Sequence, residues 1–455
     1  MVYDICVNGA RVMDPETGLD ENLNIGIIGD KIAALETKRL SGHIEVDGDG
    51  LIASPGFIDI HAHEDASPYY FPSRISQCAL KTGYTSIVVG NCGMSHTDIR
   101  GFFDGIARQR LPIGCHTLIG NVALRHAVGL DNYSKADPAE INRMVSLCRK
   151  AFEEGAIGVS FGLQYAPGTS YEEEKALFDV AAGYGLFAAV HMRYDYPEKA
   201  MDAVEEVVSL AESTGARLQI SHLPANVYGK GNIDKTKERV LRSRADIHCD
   251  VYPYNVWATT LQSAVFDEGF DNFNFSVNNL EILTGPYAGQ YCTQSLFDEL
   301  RLSHDDTMTA CHNAMPIEDV VAAYSLPFSM VGSDGQLGTS PDGQVKGHPR
   351  SVGTPAKFLG EFVREKGLMP LMEGIRKLTL LPSNQCDFSR KGRIQPGCDA
   401  DITLFNYEEI REQASFEINA CVEPPDGIPY VIVGGELHLI RPKRGKDEGL
   451  RDSGK

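Results

Sequence analysis

The sequence predicts an α/β protein built on a closed (β/α)₈ barrel. Between Gly56 and Asp334 a short apolar strand, a polar loop and a helical stretch alternate, and the alternation supplies eight candidate strands. No glycine-rich phosphate-binding fingerprint follows the first strand, which favours a barrel over an open nucleotide-binding sheet. The candidate strands cover residues 56–61, 85–90, 116–120, 157–161, 186–191, 218–222, 247–252 and 329–333.

The stretches between the candidate strands carry helix-end signals. Asp137 can cap a helix that has Pro138 in its first turn, and Gly155 can end that helix. A second helix is predicted over about 197–214, followed by Gly215. In a barrel with such connections, the carboxyl ends of the strands are where functional side chains are expected.

The two ends of the chain predict a second, smaller domain. Residues 1–54 and 391–441 both contain short β-like runs, and neither is large enough alone, so we expect one β-sandwich made from both termini with the barrel, 55–390, inserted between them. An aromatic-bearing insertion at about 256–315, before the last barrel strand, is expected to be a lid or specificity element. The charged tail 442–455 lacks an apolar period and is predicted to be disordered.

Composition limits the partners of the protein. The 455 residues carry 42 basic and 62 acidic side chains, a formal charge of −20, which argues against nucleic acid or an anionic membrane as partners. The first residues lack a signal-peptide pattern, and no window approaches the roughly 18 apolar residues of a membrane span. Eleven cysteines without a spacing framework fit reduced thiols. We therefore expect a cytoplasmic protein with a small-molecule substrate, and assembly into a homo-oligomer stays open.

The most informative local pattern is the pair His61 and His63 where the first strand ends. Side chains two residues apart on a strand share a face, so both imidazoles converge. Two surface histidines would be the alternative for this pair alone, as a buried thiol would be for Cys92 and a core histidine for His222. Several other strand ends also carry metal-ligating residue types, however, which favours a zinc-type site for one tightly held ion and a second, weaker one. The candidate ligands are His61, His63, Cys92, His191, His222 and Asp334.

The motifs around these residues resemble the amidohydrolase superfamily and, within it, the D-aminoacylase or N-acyl-D-amino-acid deacylase family. The resemblance runs over nearly the whole chain, and the Gly-Asn-Cys-Gly and His-Pro-Arg elements narrow it to that family. Many members of the superfamily bridge two metals with a carboxylated lysine at the end of strand four, but strand four of this chain has no lysine, and the resemblance implies that Cys92 takes its place. The motifs are Pro55-Gly56-Phe57-Ile58-Asp59-Ile60-His61-Ala62-His63-Glu64-Asp65, Gly90-Asn91-Cys92-Gly93, Gly155-Ala156-Ile157-Gly158-Val159-Ser160, His191-Met192-Arg193, Ile220-Ser221-His222, Asp250-Val251-Tyr252-Pro253-Tyr254, Gly332-Ser333-Asp334-Gly335, His348-Pro349-Arg350 and Gly392-Arg393-Ile394-Gln395-Pro396-Gly397-Cys398-Asp399-Ala400-Asp401.

The resemblance implies a division of the ligands between two zinc sites. It assigns Cys92, His191 and His222 to the tight ion, and His61, His63 and Asp334 to the weaker one. A carboxylate beside the metal can take a proton from water and pass it to the leaving amine, and the resemblance gives Asp334 this role.

Substrate contacts are implied as well. A guanidinium matches a carboxylate with two hydrogen bonds, so Arg350 is the candidate that holds the carboxylate of an N-acyl-D-amino acid. Tyr165 and Tyr252 are candidates to donate to the carbonyl oxygen or the carboxylate, or else ordinary rim aromatics. The expected reaction is metal-dependent hydrolysis of the amide bond.

The chain departs from the family pattern at two substrate contacts. Pro224 stands where the deacylases have a lysine, and Ala258 stands where they have a serine, with Thr259 beside it. Asn226 or Lys230 could compensate. A hydrolase of cyclic amides of the hydantoinase or dihydroorotase kind, or a heterocycle aminohydrolase, is therefore the alternative function, and a scaffold protein without catalysis is a third.

Overall fold

A computed structural model describes residues 2–63, 78–303, 306–339, 345–440 and 450–452. No helix within these ranges is long and apolar enough to cross a membrane.

Strands from both ends of the chain form one hydrogen-bonded sheet system. The first strand, Tyr3–Asp14, pairs with its antiparallel neighbour along most of its length, with one parallel strand beside its first half and another beside its second half. Ile402–Phe405, from the C-terminal part, pairs antiparallel with Ile52–Pro55, from the N-terminal part. The strands are Tyr3–Asp14, Leu19–Ile28, Lys31–Glu36, Gly42–Asp47, Ile52–Pro55, Ile402–Phe405, Tyr430–Val433, Glu436–Leu439 and Leu450–Asp452.

These strands enclose their own core. Ile25, Val46 and Ile402, from three different strands, lie in one buried apolar cluster separate from that of the rest of the chain. The small β domain expected from both termini is therefore confirmed. Of the predicted tail, only 450–452 lies within the described residues, and these residues pair with Gly42–Asp47; the rest of 442–455 lies outside them.

The eight predicted barrel strands are present and parallel. The third consists of two pieces, the first paired with strand two and the second with strand four. A parallel bridge between Ala62 and Gly335 brings the first strand to the eighth, which closes the barrel and confirms the predicted fold. In chain order the barrel strands are Phe57–Asp59, Tyr84–Val89, Gly114–Thr117 with Ile119–Gly120, Gly158–Gly162, Phe187–His191, Arg217–Ile220, Ile247–Val251 and Ser329–Val331.

The helices lie between and after these strands. Pro138–Glu153 begins at Asp137, whose carboxylate accepts from the Glu140 N–H in a full capping box, as the sequence predicts. The second predicted helix begins at Ala200 rather than 197 and ends at Thr214, with Gly215 in the left-handed conformation. The α-helices are Ile99–Gln109, Asn121–Ala127, Pro138–Glu153, Tyr171–Tyr184, Ala200–Thr214, Leu223–Val227, Asn232–Arg242, Gln294–Arg301, Ile317–Tyr324, Arg350–Lys357, Leu371–Leu378 and Leu380–Gln385, and Phe358–Glu365 is a π-helix.

The insertion before the last barrel strand folds as a small antiparallel sheet. Met308–Cys311 lies between Trp257–Thr260 and Leu280–Ile282. The 3₁₀ turns Ala264–Phe266 and Val277–Asn279 lie in its connections. A hairpin of Leu337–Thr339 and Val345–Gly347 follows the last barrel strand, and a further 3₁₀ turn, Ala420–Val422, lies near the C-terminal strands.

Candidate metal centre

The strand ends bring all six predicted ligands together. Their donor atoms form two groups that share the Cys92 thiol, and within each group the atoms lie within 4.8 Å of one another. The first group is His61, His63, Cys92 and Asp334, and the second is Cys92, His191 and His222.

The group around Cys92 is tightly packed. Its Sγ lies 3.4 Å from His61 Nε2 and 3.6 Å from His222 Nε2. His191 Nδ1 lies 2.9 Å from the same His222 nitrogen. Each of these side chains is almost fully buried. One thiol and two imidazoles are a common donor set for zinc.

The other group is centred on the carboxylate of Asp334. Its Oδ1 lies 2.9 Å from His63 Nε2 and 3.4 Å from His61 Nε2, and the two imidazole nitrogens are 3.3 Å apart. His63 is the most exposed of the three, although its side chain is only 12% accessible. This group adds two nitrogens and one oxygen to the cluster.

Three of the ligands adopt left-handed backbone conformations. The φ angles of Cys92, His222 and Asp334 are 53°, 32° and 49°. Non-glycine residues rarely adopt such angles, and they do so mainly where surrounding structure holds a functional side chain in place. At each of these three strand ends, the backbone turns sharply and directs the side chain into the cluster.

The backbone of the Gly90–Gly93 turn requires glycine and is held by hydrogen bonds. Gly90 also has a positive φ, 81°, and a Cβ atom there would lie 2.5 Å from the Leu118 carbonyl oxygen. The Ser160 hydroxyl, on strand four, donates to the Gly90 carbonyl and accepts from the Gly93 N–H at 3.0 Å. The turn is therefore anchored from both sides, and the Cys92 thiol is held at one position.

Asp250 belongs to a motif that the sequence singled out, but its role in the site was not predicted. Its Oδ1 accepts from His61 Nδ1–H at 3.0 Å and from the His222 backbone N–H at 2.8 Å, and its Oδ2 accepts from Gln219 at 2.7 Å. The bond to Nδ1 leaves Nε2 of His61 facing the cluster, as a metal ligand requires. The available signal was the position of Asp250 at the end of strand seven, two residues before Tyr252.

Asp195 plays a similar part for His191. Nδ1 of that ring faces His222, while Nε2 lies 3.5 Å from Asp195 Oδ1 and 3.1 Å from the side-chain amide of Gln164. Asp195 is buried in the loop after strand five, where nothing in the sequence distinguishes it from a solvated acid. The ring is thus oriented by polar groups on the side away from the cluster.

The charges of the site fit a divalent cation. Burial would raise the pKa of the Cys92 thiol, but His61, His191 and His222 hold it well below its usual value. Burial likewise opposes ionisation of Asp334, whose pKa is held well below its usual range by the Arg350 guanidinium and by His61. Thiolate, imidazole and carboxylate together are the donor types that zinc binds, and two of them are anionic here.

Arg350 lies directly beside Asp334. Its Nη1 is 2.9 Å from Asp334 Oδ2, and its guanidinium carbon lies 4.6 Å from the centre of the Tyr252 ring. His348 accepts from the Arg350 backbone N–H at 3.0 Å and donates to the Val256 carbonyl at 2.9 Å. Burial and the neighbouring guanidinium hold the pKa of His348 well below 6.5, so it is neutral.

A small cavity, with an accessible volume of about 20 Å³, opens onto the cluster. The Tyr165 ring lies 4.6 Å from the His191 ring, and its hydroxyl accepts from Thr259 at 3.3 Å. The predicted residues Tyr165 and Tyr252 both line the cavity. The lining residues are Tyr165, His191, Asp195, His222, Ala225, Tyr252, Trp257, Ala258, Thr259, Val265 and Asp334.

The residues that could compensate for the two departures from the family pattern differ in whether they line this cavity. Ala258 and Thr259 line it, so Thr259 can supply the hydroxyl that Ala258 lacks. The Asn226 amide donates to Asp195, a lining residue. Lys230 is exposed and pairs with Glu198 at 2.5 Å, and it is not among the described residues that line the cavity.

Known proteins resemble this chain over nearly its whole length. A family model described as the amidohydrolase family matches residues 288–437. The N-acyl-D-glutamate deacylase of Alcaligenes xylosoxydans xylosoxydans is 28% identical over 475 residues, covering 95% of this chain and 93% of the relative. The D-aminoacylase of the same organism is 26% identical over 473 residues and covers 95% and 94%.

A solved structure agrees in fold and sequence. The N-acyl-D-glutamate deacylase of Bordetella bronchiseptica, complexed with zinc and a phosphonate mimic of the tetrahedral intermediate, superposes with a TM-score of 0.83. It is 26% identical, and 96% of each chain is covered. In its barrel, its terminal β domain and its sequence, this chain is therefore similar over nearly its whole length to D-aminoacylases and N-acyl-D-amino-acid deacylases of the amidohydrolase kind.

Proposed function

We propose that this protein is a zinc-dependent amidohydrolase that cleaves an N-acyl-D-amino acid to a carboxylic acid and a free D-amino acid. The observation that carries the proposal is the position of Asp334, whose two oxygens lie 2.9 Å from His63 Nε2 and 2.9 Å from Arg350 Nη1. One carboxylate thus lies between a group of metal donors and a cation that can bind a substrate carboxylate. The names of the aligned deacylases support the same reaction.

The donors divide between two zinc ions. Cys92, His191 and His222 would hold the tight ion, and His61, His63 and Asp334 would hold a weaker second one. A bound zinc ion supplies a Lewis acid that polarises the amide carbonyl and acidifies a water molecule.

Asp334 moves the proton. Because its pKa is held well below its usual range, Asp334 is ionised at neutral pH and can accept a proton from the attacking water. The water oxygen bonds to the carbonyl carbon, Asp334 returns the proton to the amide nitrogen, and the C–N bond then breaks to release the amine. Water adds across the amide, so no other reactant is needed.

Other side chains position the substrate. Arg350 binds the carboxylate of the amino acid, exchanging part of its contact with Asp334 for the substrate. The Tyr165 and Tyr252 hydroxyls face the same cavity and can donate to the substrate's carbonyl oxygen or carboxylate.

The proposal also includes a cytoplasmic location and assembly into a homo-oligomer. A cytoplasmic enzyme fits the cysteine usage, and a homo-oligomer can be tested by light scattering on the purified protein.

The direct test is amine release by the zinc-loaded protein from a panel of N-formyl and N-acetyl D- and L-amino acids. We expect turnover of D-substrates, and we expect Asp334→Asn to lose about 10²–10⁴-fold in kcat because the group that moves the proton is removed. Measured zinc content shows whether the variant still holds its tight ion through the other ligands. No turnover by a zinc-containing protein would contradict the proposal and favour cyclic amides or heterocyclic amines, which a second panel would test.

A further inference from the structure

A second, larger cavity adjoins the catalytic one. Its accessible volume is about 230 Å³, and its lining residues belong to the loops after strands four and five and to the insertion. Val265 lines both cavities, and Gln164 lines the second while its neighbour Tyr165 lines the first. The two spaces therefore meet at the Val265 side chain.

Aromatic side chains form one wall of this second cavity. The Tyr194 and Tyr196 rings lie 5.6 Å apart, and the Phe273 ring meets Tyr196 edge-on at 6.4 Å. All three are partly exposed, so their faces are available to a ligand. Such a wall favours an apolar group, and an aromatic one most, because offset and edge-on ring contacts add to the burial of area.

The charged groups around the second cavity do not favour an anionic ligand. The Arg193 guanidinium lies 2.5 Å from Glu174 and 3.0 Å from Glu206, so its charge is already compensated. Of the two acidic lining residues, Asp267 pairs with Arg301 at 2.5 Å, and Glu268 accepts from the Tyr196 hydroxyl at 3.3 Å. These contacts disfavour an anionic group, and the aromatic wall favours an apolar one.

Contacts between neighbouring side chains connect Arg350, through the metal donors, with Gln164 at the second cavity. From Arg350, contacts run through Asp334, His63, His61, Cys92, His222 and His191 to Gln164. Arg350 stands at one end of this series, and Gln164, which lines the second cavity, stands at the other. With the carboxylate of the substrate at Arg350 and its carbonyl carbon at the metal donors, we place the acyl group on the side of His191 and Gln164, the residue that lines the second cavity.

We propose that this cavity is a subsite for the acyl group, and that it selects an uncharged acyl group bearing an aryl ring, such as phenylacetyl. This inference rests on the proposed function and defines the substrate class more narrowly. The amino-acid part of the substrate stays in the smaller cavity.

The test compares N-phenylacetyl with N-acetyl derivatives of the best D-amino acid from the panel. We expect kcat/KM of the zinc-loaded protein to be about tenfold or more higher for the phenylacetyl compound. Tyr196→Ala and Phe273→Ala should each lower the ratio of kcat/KM for the phenylacetyl compound to that for the acetyl compound at least threefold. The two variants are made separately, so that one remains informative if the other does not fold. Tyr171→Ala, which removes an exposed tyrosine elsewhere on the barrel, should leave the ratio unchanged.

Each other outcome is decisive. A wild-type ratio of one or less overturns the subsite, and so does a high ratio that neither variant lowers. Turnover of the N-acetyl compound in those cases leaves the deacylase function intact. Absence of turnover with both compounds would instead remove the proposed function itself, and the acyl subsite with it.

Discussion

At the scale of single residues, Asp250 is the side chain that links the two groups of metal donors. It binds the His61 ring of one group and the backbone of His222 in the other through the same oxygen. Replacement of such an orienting carboxylate commonly costs 10- to 100-fold in metal affinity. We expect Asp250→Asn to weaken zinc binding by about that factor, measured by competition with a chelating dye.

The control for this prediction is Asp14→Asn. Asp14 is also fully buried and accepts hydrogen bonds, including one from the Ile394 N–H at 3.1 Å, but it lies in the terminal β domain. Its replacement should leave zinc affinity unchanged while costing some stability. Equal zinc affinity in the Asp250→Asn protein and the wild type would show that Asp250 does not orient the ligands.

The clustering of the six candidate ligands was predictable from the sequence, and the contacts of the carboxylates that orient them were not. His61, Cys92 and Asp334 are residue types that seldom end three barrel strands by chance, and parallel strand ends meet at one rim. The roles of Asp195 and Asp250 depend on which imidazole nitrogen each carboxylate reaches, and that follows only from three-dimensional contacts.

At the scale of elements, a buried ion pair fastens the insertion to the segment between Asp334 and Arg350. Glu281, on the insertion sheet, accepts from Lys346 at 2.8 Å and from His312 at 2.8 Å. Lys346 belongs to the hairpin of Leu337–Thr339 and Val345–Gly347. The pair thus connects the insertion, which lines the cavity beside the metal donors, to the chain between Asp334 and Arg350.

Removal of the Glu281 charge should destabilise the protein. In Glu281→Gln the Lys346 ammonium stays buried without its carboxylate, and breaking a buried pair in this way costs about 3–5 kcal/mol. We expect a loss near the lower figure in the free energy of unfolding, measured by urea denaturation at pH 7. Asp179→Asn, which breaks an exposed pair with Lys175, should cost less than about 0.5 kcal/mol.

The same pair predicts a dependence on pH. Burial would raise the pKa of Glu281, but His312 and Lys346 lower it below its ordinary value of 4.5. A carboxyl group whose pKa is lower in the folded state stabilises that state above the ordinary pKa and loses this effect as the pH falls through the folded value. The difference in stability between wild type and Glu281→Gln should therefore shrink below about pH 4.5, and a constant difference would contradict the assignment.

The barrel elements followed from local sequence, whereas the fold of the insertion did not. Helix ends at Asp137 and Gly215 depend on neighbouring residues alone. In the insertion, Leu280–Ile282 pairs with Met308–Cys311 across a long connection that no local pattern predicts. Its aromatic residues also pack mainly against one another, as Phe270 and Phe297 do at 5.1 Å, and only part of the insertion lines the cavities.

At the scale of the whole molecule, the terminal β domain and the barrel are joined at the first strands. Ile52–Pro55 pairs with Ile402–Phe405 and leads directly into the first barrel strand. The Thr403 hydroxyl donates to the Gly83 carbonyl at 2.6 Å, at the start of strand two. The C-terminal strands therefore support the elements that carry His61 and Cys92.

The candidate ligands lie at the ends of strands one, two, five, six and eight, so a bound ion would connect five strands of the barrel. An ion that binds only this assembled set must be released before the barrel unfolds. Its stabilising effect is about 2.7 kcal/mol when free zinc is 100 times its dissociation constant. We expect the melting temperature to rise with zinc concentration and to fall on chelation.

Cys92→Ala tests whether this stabilisation arises at the proposed centre, because the thiol is the donor that both groups share. Without it the zinc-dependent rise in melting temperature should be largely lost. Cys249→Ala removes another fully buried cysteine, on strand seven and outside both donor groups, so it should lower stability with and without zinc while keeping the zinc-dependent rise. Comparing each variant in zinc and in chelator separates metal binding from the packing cost of losing a buried thiol. An equal zinc-dependent rise in the Cys92→Ala protein would place the stabilising ion elsewhere in the molecule.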